Sequence, residues 1–213
     1  MATLADLKQR ILDETTRDDL ADDLANALNG VIQRSIDQYE NEAWWFNEVR
    51  LVIPCVIGNA YVAIPPAVIR IDTVRIIIGG VRYPLRLLPW DRIEEFYSVP
   101  QVGQPTDFAQ VVDNLYLWPT PNQTYPLIWE TISQVTPVLD FTMAPATQSN
   151  RWTNEGQDLI TAQCKIRLYR DFLAANAQDP RIGQALAQEA DAYANLRAQS
   201  NRRMSSGKVA AGW

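Results

Sequence analysis

Apolar residues along this chain recur first at steps of three and four, then at steps of two, then at three and four again. Leu4, Leu7 and Ile11 form one stripe at helical spacing, and Thr3 stands where a helix cap belongs. The polar break Thr15-Thr16-Arg17-Asp18-Asp19 supplies caps for a longer second helix, predicted over residues 19–46. Its apolar positions are Leu20, Leu24, Leu28, Val31, Tyr39, Ala43 and Phe46, with Ile32 and Ile36 widening the face. Gly30 inside it costs about 1 kcal/mol relative to alanine and marks a kink or a close helix contact. Two amphipathic helices joined by a short turn predict an antiparallel pair.

From Val49 the period changes. Val49, Leu51 and Ile53 alternate with Arg50 and Val52, the rhythm of a strand. Tyr61 to Ile64 follows, ended by Pro65-Pro66, and then an apolar run from Val68 to Ile78. Gly79-Gly80 separates that run from Val81, Tyr83 and Leu85, a hairpin signal because both glycines accept positive φ. Residues 90–97 predict a short helix with Trp90, Ile93 and Tyr97 on one side. Phe108 to Val112 and Leu115 to Trp118 flank Asp113-Asn114 as a second hairpin, and Tyr125, Leu127, Trp129 and Thr131 alternate as one more strand.

Helical spacing resumes near Asn154. Leu159, Ala162, Ile166, Tyr169 and Leu173 form one row, and Ile160, Cys164, Leu168 and Phe172 form another beside it, a broad buried face. Asp179-Pro180 restarts a helix as cap and first residue, with Ile182, Leu186, Ala190 and Tyr193 as its stripe. Beyond about Gln199 no period remains, so residues 199–213 read as an extended tail. The expected fold is α+β: a helical bundle of about four main helices, residues 1–48 and 151–198, with a β-rich domain, residues 49–150, inserted between its halves.

Composition narrows the chemistry. The 213 residues are 47% hydrophobic and 21% charged, an ordinary globular mixture. No apolar run approaches the roughly 20 residues a membrane span needs. Met1 to Asp6 lacks a basic head with an apolar stretch, so no secretory signal is expected and assembly in a cytoplasm is. The two cysteines, Cys55 and Cys164, read as buried free thiols in a reducing compartment. With no histidine, Ser-His and Cys-His catalytic pairs and most catalytic zinc sites are excluded, and two cysteines are too few for a structural zinc site. The net charge of −6 argues against a protein whose main task is gripping nucleic acid.

The remaining candidates are weak as catalysts. Asp18, Asp19, Asp22 and Asp23 sit at a helix start, where acidic residues suit the dipole, and Glu94-Glu95 lie on the short helix; a solvated face explains both groups better than a glycosidase cleft. Trp44-Trp45-Phe46 is surrounded by Glu40, Glu42 and Glu48 rather than cations, which points to core packing or a subunit interface rather than base stacking. The tail carries Arg202, Arg203, Lys208 and Trp213, either a disordered terminus or a docking arm whose cations meet an acidic groove while Trp213 fills a pocket. No catalytic, cofactor-binding or metal-ligating set is expected.

Several phrases in a fixed order carry a resemblance. They are Leu20-Ala21-Asp22-Asp23-Leu24 with Ala27-Leu28-Asn29, Trp44-Trp45-Phe46-Asn47-Glu48, Asn59 to Pro65, Ile71-Asp72-Thr73-Val74, and Gly103-Gln104-Pro105-Thr106-Asp107-Phe108-Ala109. Leu115 to Pro121 with Tyr125 follows, then Trp152 leading to Asp158-Leu159-Ile160. In these the chain resembles the head-tail adaptor (portal adaptor, or head-completion) proteins of tailed bacteriophages. The resemblance implies a ring of about twelve copies under the portal protein, with helices as the ring body. It also implies a β domain turned toward nozzle, fibre or other tail proteins, and a C-terminal segment running along the portal. Double-stranded DNA would pass through the channel without specific binding, in the neck of the virion. Alternatives at this stage are a stopper or tail-terminator ring, a tail-associated peptidoglycan hydrolase, and a DNA-binding accessory protein.

Overall fold

A computed structural model of the chain describes residues 2–15, 24–97, 101–135, 137–171 and 179–209. The protein is mixed α+β and divides into two compact units: Met1–Asn47 with Val135–Trp213, and Glu48–Gln134. Residues 135–150, expected within the β insertion, belong to the helical unit. Val135 and Leu139 are buried in its core, and Gln148 accepts the Leu4 backbone N–H at 2.8 Å, so this irregular stretch packs where regular periodicity gave no sign of it.

In the helical unit, α1 (Leu4–Thr15) begins at a reciprocal cap: Asp6 N–H donates to Thr3 Oγ1 at 3.2 Å, and Thr3 N–H donates to Asp6 Oδ2 at 2.7 Å. Helix α2 spans Leu24–Glu40, and a short α4 (Arg151–Asn154) leads into α5 (Gln157–Asp171). Helix α6 runs Pro180–Val209, with Asp179 Oδ1 accepting the Arg181 N–H at 2.9 Å. One cluster joins Leu4, Leu7 and Ile11 of α1 to Leu28, Val31, Ile32 and Ile36 of α2, Leu159, Ile160 and Cys164 of α5, and Leu196 of α6. The Gly30 position is open: a Cβ there would meet nothing within 4 Å, so no close helix contact explains it. Leu186, expected in the α6 stripe, is 42% exposed. The buried line instead follows Ile182, Ala185, Leu196 and Ser200. Leu20, Phe172 and Leu173 lie outside the described residues.

The second unit is a sandwich. One antiparallel sheet has the order β1 (Glu48–Cys55), β10 (Tyr125–Ser133), β3 (Val68–Ile78), β4 (Val81–Pro84). The other has the order β2 (Tyr61–Ala63), β8 (Asn114–Trp118), β7 (Asp107–Val111), β5 (Arg86–Leu87). Strands β6 (Val102–Gly103) and β9 (Thr120–Pro121) form a small parallel pair. Alternation sorts the faces: Leu51, Ile53, Val74, Ile76, Leu127 and Trp129 of the first sheet meet Val62, Phe108, Leu115 and Leu117 of the second in a single cluster. Helix α3 (Trp90–Tyr97) covers the other face of the second sheet, where Ile93 and Trp90 pack on Ala109, Tyr116 and Trp118.

Gly79 and Gly80 both have positive φ, +56° and +84°, as the β3–β4 turn requires. The second hairpin turns one residue earlier than expected. Val111 pairs with Asn114, so Val112-Asp113 forms the loop, and Val112 takes φ +50°.

Candidate functional site

The sequence offered two candidate surfaces, the Trp44-Trp45-Phe46 cluster and the C-terminal cations. The structure brings them together. Helix α2 stops at Glu40 rather than 46 because side chains take the backbone groups of its last turn. Asn47 Nδ2 donates to Glu40 O at 3.0 Å and Glu42 O at 2.9 Å, while its Oδ1 accepts the Trp44 N–H at 2.8 Å. Trp44 Nε1 donates to Tyr39 O at 2.8 Å. Continuing the helix would forfeit these bonds.

The turn folds Trp44 inward. It is fully buried, edge-on to Trp152 at 6.3 Å between ring centroids and to Tyr193 at 5.7 Å. Trp44 is thereby removed from any subunit surface, a correction to its candidacy as an interface residue: its apolar area is satisfied inside its own chain. Trp45 and Phe46 are half-buried, with ring centroids 4.9 Å apart, and Phe46 meets Trp152 edge-on at 5.0 Å. A half-buried Glu40 carboxylate closes the junction, accepting the Val135 N–H at 2.9 Å. Burial raises that carboxyl above its ordinary value, against the lowering effect of the Val135 bond.

The C-terminal segment is helical, not extended, as far as Val209. Ser200 is fully buried and its Oγ accepts the Trp45 N–H at 3.1 Å. The Arg203 guanidinium lies 4.4 Å from the Trp45 ring centroid and 3.8 Å from the Glu155 carboxylate. Arg197 donates to Ala43 O at 2.7 Å and sits over Trp44. Arg202 and Arg203 are exposed, Lys208 lies on the same helix, and Trp213 lies outside the described residues. Arg203 is thus spoken for at the junction, which periodicity could not reveal because the contact spans more than 150 residues of sequence.

Reading the sequence also missed Lys165. It sits between the two apolar rows of α5, with a side chain 7% exposed, and reaches Glu14 at 2.7 Å and Gln188. Arg10 holds the same carboxylate at 2.7 Å. Burial works to raise the Glu14 carboxyl, but the hydrogen bonds from Lys165 and Arg10 outweigh it and hold the group below its ordinary value. A lysine inside an apolar face is legible only as an anomaly until its partner on another helix is known.

Among the described residues the acidic candidates form no cleft. Asp18, Asp19, Asp22 and Asp23 lie outside the described residues. Glu94 and Glu95 are exposed on α3, with Glu95 3.2 Å from Arg92. Among the described residues no group of three or more Cys, Asp or Glu could hold a metal ion, and no helix is long and apolar enough to cross a membrane. Cys55 and Cys164 are buried, free, and in different units. The Cys164 thiol donates to Ser35 Oγ at 3.4 Å, and burial pushes it up to about 12.

No curated protein matches the chain. A family model described as SU10 adaptor protein matches residues 2–211, spanning both units and both candidate surfaces. The chain therefore belongs to the SU10 adaptor protein family, a structural family of phage adaptors.

Proposed function

We propose that this protein is a head-tail adaptor whose copies seat beneath the portal, close into a ring of about twelve, lengthen the DNA exit channel and offer a new surface to the tail. The observation that carries this reading is the family match over residues 2–211. The structure supports it through its division of labour. Both chain ends build one helical body, a four-helix bundle in this reading, and a separate β sandwich is free to meet nozzle, fibre or other tail proteins. The net charge of −6 suits a channel through which DNA slides without being held. Half-buried Trp45 and Phe46 sit at the ring interface, and the C-terminal residues Arg202, Lys208 and Trp213 meet the portal. Many copies presented at once turn weak single contacts into a stable joint. The protein occupies the virion neck after assembly in the host cytoplasm.

The test is to mix purified protein with isolated portal assemblies and, separately, with tail tubes. The proposal expects co-sedimentation with portals at a fixed ratio. Binding to tail tubes while ignoring portals would make the protein a tail terminator instead.

A further inference from the structure

The two ends of the β sandwich differ in composition. The chain enters at Glu48 and leaves at Gln134, whose N–H donates to Ala67 O at 2.8 Å. Glu48, Arg50, Arg70, Asp72 and Glu130 stand toward this entry end. The opposite end is made by the β1–β2 loop, the β3–β4 turn, β6, and the segment from β9 to the start of β10. The stretches that build it, 55–60, 79–81, 101–104 and 119–124, contain no charged residue. Arg82 follows Val81, but on the face of β4 turned away from the sandwich core. Val56, Ile57 and Val102 are each more than half exposed at this end. Backbone bonds tie their segments together. Gly58 N–H, at φ +72° after Ile57, donates to Pro121 O at 2.8 Å, and Asn122 N–H donates to Gly103 O at 3.0 Å. Gly103 pairs with Pro121 in the β6–β9 ladder, next to Val102. Exposed Gln101, Asn122 and Gln123 stand on the same segments, polar but neutral.

We infer that this end of the sandwich receives the tail, as an uncharged docking surface centred on Val56, Ile57 and Val102 for an apolar patch of a tail protein. The inference rests on the adaptor reading above and names the part of the β unit that does the binding. Protein contact surfaces are depleted of charge at the centre and keep polar groups at the rim, which is the composition here. Single exposed apolar residues are common on any protein. Three on segments cross-tied by backbone bonds make a preformed surface, and little entropy is lost when it is covered. A nucleic acid is disfavoured, since no lysine or arginine on these stretches could meet a phosphate. A neighbouring copy is disfavoured by position. Strand β1 has eight residues rising about 3.4 Å each, so this end lies about 27 Å from Glu48, where the chain joins the helical unit. In a ring whose body is helical, the part of the β unit farthest from that joint is where a further layer of the particle meets it.

The experiment loads isolated portals with full-length protein and then offers isolated tails. It compares the wild type, the double variant Ile57→Asp with Val102→Asp, and the control Val112→Asp. Val112 is exposed in the β7–β8 loop with φ +50°, which aspartate accepts more readily than valine. Circular dichroism and melting establish that each form folds, and sedimentation establishes how much of each loads on portals. Tail attachment, counted in negatively stained images, should fall about tenfold or more for the double variant, whose carboxylates would be covered without partners. It should stay at the wild-type level for Val112→Asp. Ile57→Ser with Val102→Ser removes the apolar centre without adding charge; it should weaken attachment in the same direction, and it serves if the aspartates disturb the fold. Wild-type attachment should persist as salt is raised, because an apolar contact is not screened. Full attachment by the double variant overturns the inference, as does an equal loss with Val112→Asp. Attachment that salt dissolves overturns it in favour of a charged surface. A double variant that melts like the wild type yet no longer loads on portals gives this end to the portal or to neighbouring copies, and overturns it too. The adaptor reading fails on a different result, absence of portal loading by the wild type.

Discussion

Gly156 lies so close to the Trp152 indole that a Cβ added to it would stand 2.6 Å from Trp152 Cε3. The two residues occupy the hinge between α4 and α5, where Gly156 N–H donates to Arg151 O at 3.2 Å and Trp152 enters the aromatic junction. No methyl fits unless the fully buried ring moves, and Trp44 and Phe46 hold that ring on two sides. Gly156→Ala should therefore destabilise the helical unit by about 1–3 kcal/mol, the range for overpacking a filled core. In a Trp152→Leu background the same change should cost far less. A double-mutant cycle from urea melts measures that coupling.

Asn47 closes α2 and opens the path into the β unit with one side chain. Asn47→Ala orphans two carbonyls and the Trp44 N–H, and should cost about 2–3 kcal/mol, as for buried polar groups left without partners. Asn47→Asp keeps the acceptor and loses both donors, so its melting temperature should fall between wild type and alanine.

Glu14 gives the stability a defined acid limb. Its carboxyl titrates below the ordinary 4.5 when folded, so its contribution is present above that value and lost as pH falls through the lowered one. Glu14→Gln should cost about 1–2 kcal/mol at pH 7, less than the 3–5 of a fully enclosed pair because the glutamate is 33% exposed. The gap between wild type and variant should close as urea melts are repeated from pH 7 down to pH 3.

The C-terminal segment divides at Met204. Deleting residues 199–213 removes Ser200, orphans the Trp45 N–H and takes Arg203 from the Trp45 ring, so the melting temperature should drop by several degrees. Deleting only residues 207–213 spares these contacts and should leave the melt unchanged while portal binding weakens. Unchanged portal binding by the shorter deletion would retire the docking role of Lys208 and Trp213.

Much of this fold was legible because its signals are local. The change of period near Val49, the glycine pair at 79–80 and the Asp179-Pro180 start each depend on neighbours in sequence, and each marks an element that forms. The failures share a different cause. Helix α2 kept its apolar period through Ala43 and Phe46, but its end is set by Asn47 reaching back to Glu40. Residues 199–209 offer no stripe, yet they stay helical where Ser200 meets Trp45 across more than 150 residues. The candidate surfaces were legible as residue types, aromatic and cationic, but not as a pair. Their meeting, and the burial of Trp44 that takes it out of contention, are tertiary facts.

The adaptor account stands most directly on where the protein sits in the particle. A cryo-electron-microscopy reconstruction of mature virions, focused on the head-tail vertex, should reveal a closed ring of this chain against the portal. Its helical unit should be in contact with portal density. A neck whose density leaves no room for this fold, or which places it elsewhere in the particle, would contradict the account.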